Sequence, residues 1–347
     1  MRKIILTIGA FPIIAMKTLA LEIEAPPPPK AGISVMPEQT DNFSAALMEL
    51  LQKTVSTLGA DFSDALQTAA LVSAIVIAIS LLYEFNGTPK KKLVISGAAL
   101  IATCILKKAN VLILLGTSTI EELSEYGKLL IPVMAAAMAG QGGTTSSAAL
   151  YAGTTVFDLV LTNLISAYLL PGVCLYLALS VANCAIGESM LKQFRDLVRW
   201  MIGWSLKIVL TVFTTYMSIT GVVSGTADAV KLKATKITIA SVVPVVGGIL
   251  SDASEAILVS AGLAKSAAGI YGILALLAVF LGPFLKIWIQ YAVLKITSAL
   301  CGIFGIKPLT DLIEDFSAAM GLILAMTGAV CMMLLISTVC FLRGMGI

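Results

Sequence analysis

The feature that most constrains this chain is an apolar stretch, residues 236–296, that is broken twice. Pro244 and the pair Gly247-Gly248 interrupt the first apolar run, and Ser251, Asp252, Ser254 and Glu255 follow at once. The second break is Gly282-Pro283, with Lys286 and then Gln290 just beyond it. In a bilayer, broken backbone is tolerated only where protein or a water-filled cavity covers it. Gly/Pro-interrupted apolar segments also point to the working part of transporter-like proteins. The pattern therefore predicts a broken or re-entrant segment at 238–263 and a long span at 267–299, kinked at Pro283. Asp252 and Glu255 are three apart and share a face on a helix. Pro244, Gly247, Gly248, Asp252, Glu255, Pro283, Lys286 and Gln290 are thus candidates to line or gate a conduit. The alternative is a plain connection between two spans, with acids at a helix start.

The rest of the chain must be read as membrane protein too. Of 347 residues, 58% are hydrophobic and only 12% charged, against roughly 45–50% and 25% in soluble domains. The mean hydropathy is +0.98. A net charge of +3 with no basic patch leaves no footprint for nucleic acid. The chain has no histidine, which removes the commonest general base and metal ligand. Its six cysteines, Cys104, Cys174, Cys184, Cys301, Cys331 and Cys340, form no C-x-x-C pair and lie in or beside apolar runs. They read as small apolar residues rather than a metal site or disulfide framework. No cofactor site is expected. No G-x-x-x-x-G-K-[ST] arrangement is present, so ATP hydrolysis by this chain is not expected.

Residues 1–20 have the form of a secretory leader: Arg2 and Lys3, an apolar run from Ile4 to Met16, and small residues before a cut after Ala20. Lys17 leaves an uncleaved anchor as the alternative. Residues 21–64 are expected outside the cytosol. They begin with the stiff spacer Pro26 to Pro29 and continue as an amphipathic helix on Phe43, Leu47, Leu50, Leu51, Val55 and Leu58. That helix packs on the membrane domain or docks a partner.

Residues 65–347 are expected to form a polytopic helical membrane domain. The whole chain is thus all-α, with about 7–8 transmembrane spans of about 20 residues each. The first span is 65–83, and Lys90, Lys91 and Lys92 then mark the cytosolic side. The next is 93–115, displaced or tilted to relieve Lys107-Lys108. An outer acidic loop with Glu121, Glu122 and Glu125 leads into a helix over 121–139. Residues 140–147 form a Gly/Thr/Ser loop, either lining a path or simply joining helices. Two antiparallel spans are expected at 148–169 and 172–187, separated by Pro171-Gly172. Asp158 lies within the first of them, and an intramembrane carboxylate is a functional candidate by default. The basic, amphipathic stretch 188–199 reads as interfacial, and Trp200 and Trp204 open a span over 200–223. Lys231, Lys233 and Lys236 follow on the expected outer side, against the positive-inside trend. The last span is 318–342, Met-rich and preceded by Asp311, Glu314 and Asp315.

The run P-V-V-G-G-I-L-S-D-A-S-E at 244–255, with K-A-T-K at 233–236 before it and A-K-S-A-A-G-I-Y-G at 264–272 after it, resembles the stage III sporulation protein AE family of endospore-forming Firmicutes. Gln141 to Ser147 sits in a fitting place. The resemblance implies a non-enzymatic subunit of a mother-cell-to-forespore channel or secretion-like complex, in the mother-cell membrane around the forespore. It implies as partners the other membrane proteins of the stage III sporulation A operon, a forespore membrane protein across the intermembrane space, and a separate ATPase subunit. A competing expectation is a secondary transporter whose ion or solute path uses Asp158, Asp252, Glu255, Lys286 and Gln290. No clear internal repeat supports it. An intramembrane aspartyl protease built on Asp158 and Asp252 is the least favoured.

Overall fold

The computed structural model describes residues 26–37, 43–85, 90–140, 144–187, 189–220 and 267–345. The described residues form helices α1 (Lys30–Ile33), α2 (Phe43–Thr57), α3 (Gly59–Phe85), α4 (Lys90–Gly140), α5 (Thr144–Leu164), α6 (Leu170–Ile186), α7 (Ser189–Ile219), α8 (Ala267–Cys301) and α9 (Lys307–Gly344). The all-α membrane architecture expected from the sequence is present. Six helical segments among the described residues are long and apolar enough to cross a membrane. The segment 238–263 lies outside the described residues.

Two pairs of expected spans are single helices. Residues 93–139 belong to α4, which runs unbroken through Glu121, Glu122 and Glu125. The chain stays helical there, with Glu121 and Glu125 on the helix's exposed side. Likewise, Pro171-Gly172 does not turn the chain. A proline inside a continuous helix forgoes one N–H bond, and here Pro171 lies two residues past a π segment, where the backbone pairing is already shifted. The five-residue π segment Ile165–Leu169 joins α5 to α6 without a break. Two of the described turns fall at glycines in the left-handed region. Gly187 (φ 77°) ends α6 and donates its N–H to the Asn183 carbonyl, and Gly305 (φ 75°) closes the turn into α9. Pro283 lies inside α8, as expected.

The bundle is built around α9. Its most apolar window is 94% buried, against 22% for α7. It packs on α8, α4, α6, α5 and α7. Buried all-round apolarity is what a central helix requires, while the outer helices keep apolar residues outward for lipid. Close approach to α4 needs small residues. A Cβ at Gly127 would stand 2.6 Å from Leu334 of α9, and one at Gly116 would fall on Ile323. On the N-terminal side, α2 buries Phe43, Ala46, Leu50 and Thr54 and packs on α8 and α3. So α2 packs on the membrane domain. The helix of the first span begins at Gly59, ahead of the expected 65.

Candidate functional site

Of the residues singled out in the sequence, Pro244, Gly247, Gly248, Asp252 and Glu255 lie outside the described residues. Of the other four, three lie on α8 and one on α5. Lys286, on α8, pairs with Asp61 Oδ2 at the start of α3, 3.3 Å away. Gln290 is one turn further along α8 and buried, with its Nε2 lacking a hydrogen-bond partner among the described residues. Pro283 is interior to the same helix. Asp158, on α5, is only 4% exposed. Among the described residues no hydrogen bond or ion pair joins Asp158 to Lys286 or Gln290.

Asp158 belongs to a polar seam that periodicity explains. Thr154, Asp158 and Thr162 recur every four residues and so share one face of α5. Thr154 donates to Ser337 Oγ of α9 (3.0 Å), and Ser124 of α4 donates to Asp158 Oδ2 (2.7 Å). The other carboxyl oxygen, Oδ1, has no partner among the described residues, nor do Thr162 Oγ1 and Glu122 Oε2. Buried polar atoms are normally satisfied, and each exception calls for an explanation. A carboxyl with one fixed and one open oxygen can hold a proton or a cation while its position stays set by Ser124.

A second polar cluster was not singled out. Arg195, on α7, donates from Nη1 to Asp315 Oδ2 on α9 (2.5 Å), and Tyr176 on α6 donates to Asp315 Oδ1 (3.0 Å). The guanidinium also donates from Nε and Nη2 to Asp196 Oδ1 (3.0 and 2.8 Å). Arg195 and Asp315 are both buried, with side-chain exposures of 8% and 9%. Both oxygens of Asp315 are thus taken. The sequence did place Arg195 in a basic amphipathic stretch and Asp315 in an acidic helix start. Nothing local showed that each points inward, toward the other, across 120 residues. Within α7, Arg195 shares its face with the buried Val198 and Ile202, three and seven residues on. That spacing was the one available signal.

No grouping of metal-ligating side chains exists among the described residues. The sequence profile of stage III sporulation protein AE matches residues 34–344. The chain belongs to the stage III sporulation protein AE family. The match takes in α2 through α9, hence all six long helices and both polar clusters. Among family members, the stage III sporulation protein AE of Bacillus subtilis (strain 168) is 24% identical over 234 residues, which cover 67% of this chain and 58% of that protein. No solved structure matches.

Proposed function

We propose that this chain is a non-enzymatic membrane subunit, and the permease-like core, of a channel complex linking mother cell and forespore. In this reading it sits in the mother-cell membrane around the forespore. It assembles with the other stage III sporulation A-operon membrane proteins, meets a forespore membrane protein across the intermembrane space, and is energised by a separate ATPase subunit. Membership of a stage III sporulation family across residues 34–344 carries the reading. A polytopic bundle with a packed N-terminal segment, without histidine or a nucleotide-binding loop, supports it.

A clean deletion in the source organism, followed by microscopy with a forespore-specific reporter, tests this. Arrest after engulfment, with a collapsed forespore and a silent late reporter, is expected. Normal spores overturn it. One observation favours the transporter reading: the open oxygen of Asp158 is what an ion-coupled path needs. Deletion strains with normal spores but impaired uptake of an ion or small solute would establish it.

A further inference from the structure

The helices are longer than a bilayer is thick. α4 has 51 residues, about 77 Å at 1.5 Å per residue, where a hydrocarbon core is about 30 Å. Side-chain pairs fix the relative heights. Arg195 and Tyr176 both bond Asp315, and Lys295 pairs with Glu314, so residues 176, 195, 295 and 315 share one level. About nine residues, or about 13 Å, along the bundle from that level, the outer surface changes character. There α8 carries Lys286 and Trp288, α7 carries Trp204 and Lys207, and the π segment carries Tyr168. Tyr168, Trp204 and Trp288 are 71%, 53% and 43% exposed. Asp61 meets Lys286 at this height, and Asp64 accepts from Lys108 at 2.6 Å. A ring of aromatics and cations is what a bilayer–water interface selects. From this ring to the inner ends of α3 and α6 is about 18–24 residues, about 27–36 Å, one hydrocarbon thickness. Beyond the ring, α4, α5 and α9 run on for about 20–30 residues more, about 30–45 Å.

Two observations say what surrounds that outer part. The exposed stripe of α4 carries no carboxylate on the inner side, where Ile95, Ala99, Leu100 and Leu106 alternate with Ser96, Thr103 and Lys107. On the outer side Ser118, Glu121, Glu125 and Lys128 are all exposed and spaced three or four apart, beside the exposed Val111, Leu114 and Leu129. Lipid would not hold that stripe, because each outward carboxylate is expensive in hydrocarbon. The N-terminal segment also packs here. Tyr126 of α4 donates to the Pro26 carbonyl (3.2 Å), and Gly32 lies against Ala278 and Val279 of α8. The extended stretch from Pro26 cannot satisfy its backbone in lipid.

We propose that the bilayer surrounds only the inner half of the bundle. The outer half, from the Asp61–Lys286 pair to the end of α9, stands in the extracytoplasmic space as a water-exposed helical post. This rests on the exported N-terminal segment of the function proposed above. The post carries the half-partnered Asp158 and the acidic α4 stripe, and lifts both toward whatever faces this membrane.

The test is labelling of intact protoplasts that express the full chain, using a membrane-impermeant maleimide. Glu125→Cys and Val156→Cys report on the post, Leu100→Cys on the inner half and Gln52→Cys on the exported segment. Native Cys174, exposed on α6, is an internal control for lipid. Glu125→Cys and Val156→Cys are expected to label as fully as Gln52→Cys, with Leu100→Cys and Cys174 roughly tenfold less, as for thiols surrounded by lipid. Labelling of Gln52→Cys without Glu125→Cys or Val156→Cys would overturn the post and leave the exported segment standing. Labelling of Gln52→Cys only after permeabilisation would overturn both.

Discussion

The two buried carboxylates, Asp315 and Asp158, occupy the same kind of place and are treated differently. At the junction of α6, α7 and α9, Asp315 has both oxygens bonded, one by Arg195 and one by Tyr176. In the α4–α5 seam, Asp158 has one oxygen bonded by Ser124 and one without a partner among the described residues. The first arrangement uses up its chemistry in joining three helices. The second keeps some in reserve. Burial alone therefore does not mark a working group here; incomplete satisfaction does.

The comparison can be broken at its closed end first. Asp315→Ala leaves the buried Arg195 with Asp196 alone of its two carboxylates and takes the acceptor from Tyr176, and removing one partner of a buried pair costs about 3–5 kcal/mol. Unfolding of the purified full chain in detergent should show this as the largest loss. Joint replacement, Arg195→Met with Asp315→Leu, should recover most of it, since a packed apolar pair avoids the buried charge. If the double variant stays as unstable as the single, the pair is more than a brace.

Packing beside the seam comes next. Gly127→Ala places a methyl against Leu334, so overpacking of about 1–3 kcal/mol is expected in the same measurement. A smaller loss would show that Leu334 swings aside freely and that the α4–α9 contact is looser than its geometry.

Asp158→Asn sharpens the open end. The amide keeps an acceptor for Ser124, so stability should change by less than about 1 kcal/mol. Spore formation should nevertheless fall at unchanged protein level, because the amide cannot take up a proton or bind a cation as the carboxylate does. Unchanged sporulation would reduce the seam to packing. The smallest effect belongs to Asp61→Asn. Its pair with Lys286 is about a third exposed on each side, and such pairs contribute up to about 1 kcal/mol. A loss as large as that of Asp315→Ala would mean that this pair is screened from water far more than its exposure says.

How much of this was legible beforehand differs by element. The last span, the long α8 with Pro283 inside it and the packing helix after the proline spacer were all readable, because each is a sustained apolar run or a helical repeat. The turns were misplaced at the acidic loop of Glu121, Glu122 and Glu125 and at Pro171-Gly172. Charge and proline are local signals. A helix overrides both when the charges face outward and a π segment precedes the proline. Asp158 was legible as a carboxylate within an apolar run. Its partner Ser124 was not, since a serine in a helix announces nothing until another helix presents an acceptor.

By itself, the sequence determined the class of solvent, the helical class and the family. Those follow from apolar content, from the rule that backbone in lipid must satisfy itself, and from residue patterns over 34–344. Only the tertiary structure decided which helix is central, that Arg195 and Asp315 neutralise each other, and that one oxygen of Asp158 is left open. Such facts depend on which face meets which neighbour more than a hundred residues away, and local periodicity carries no record of that.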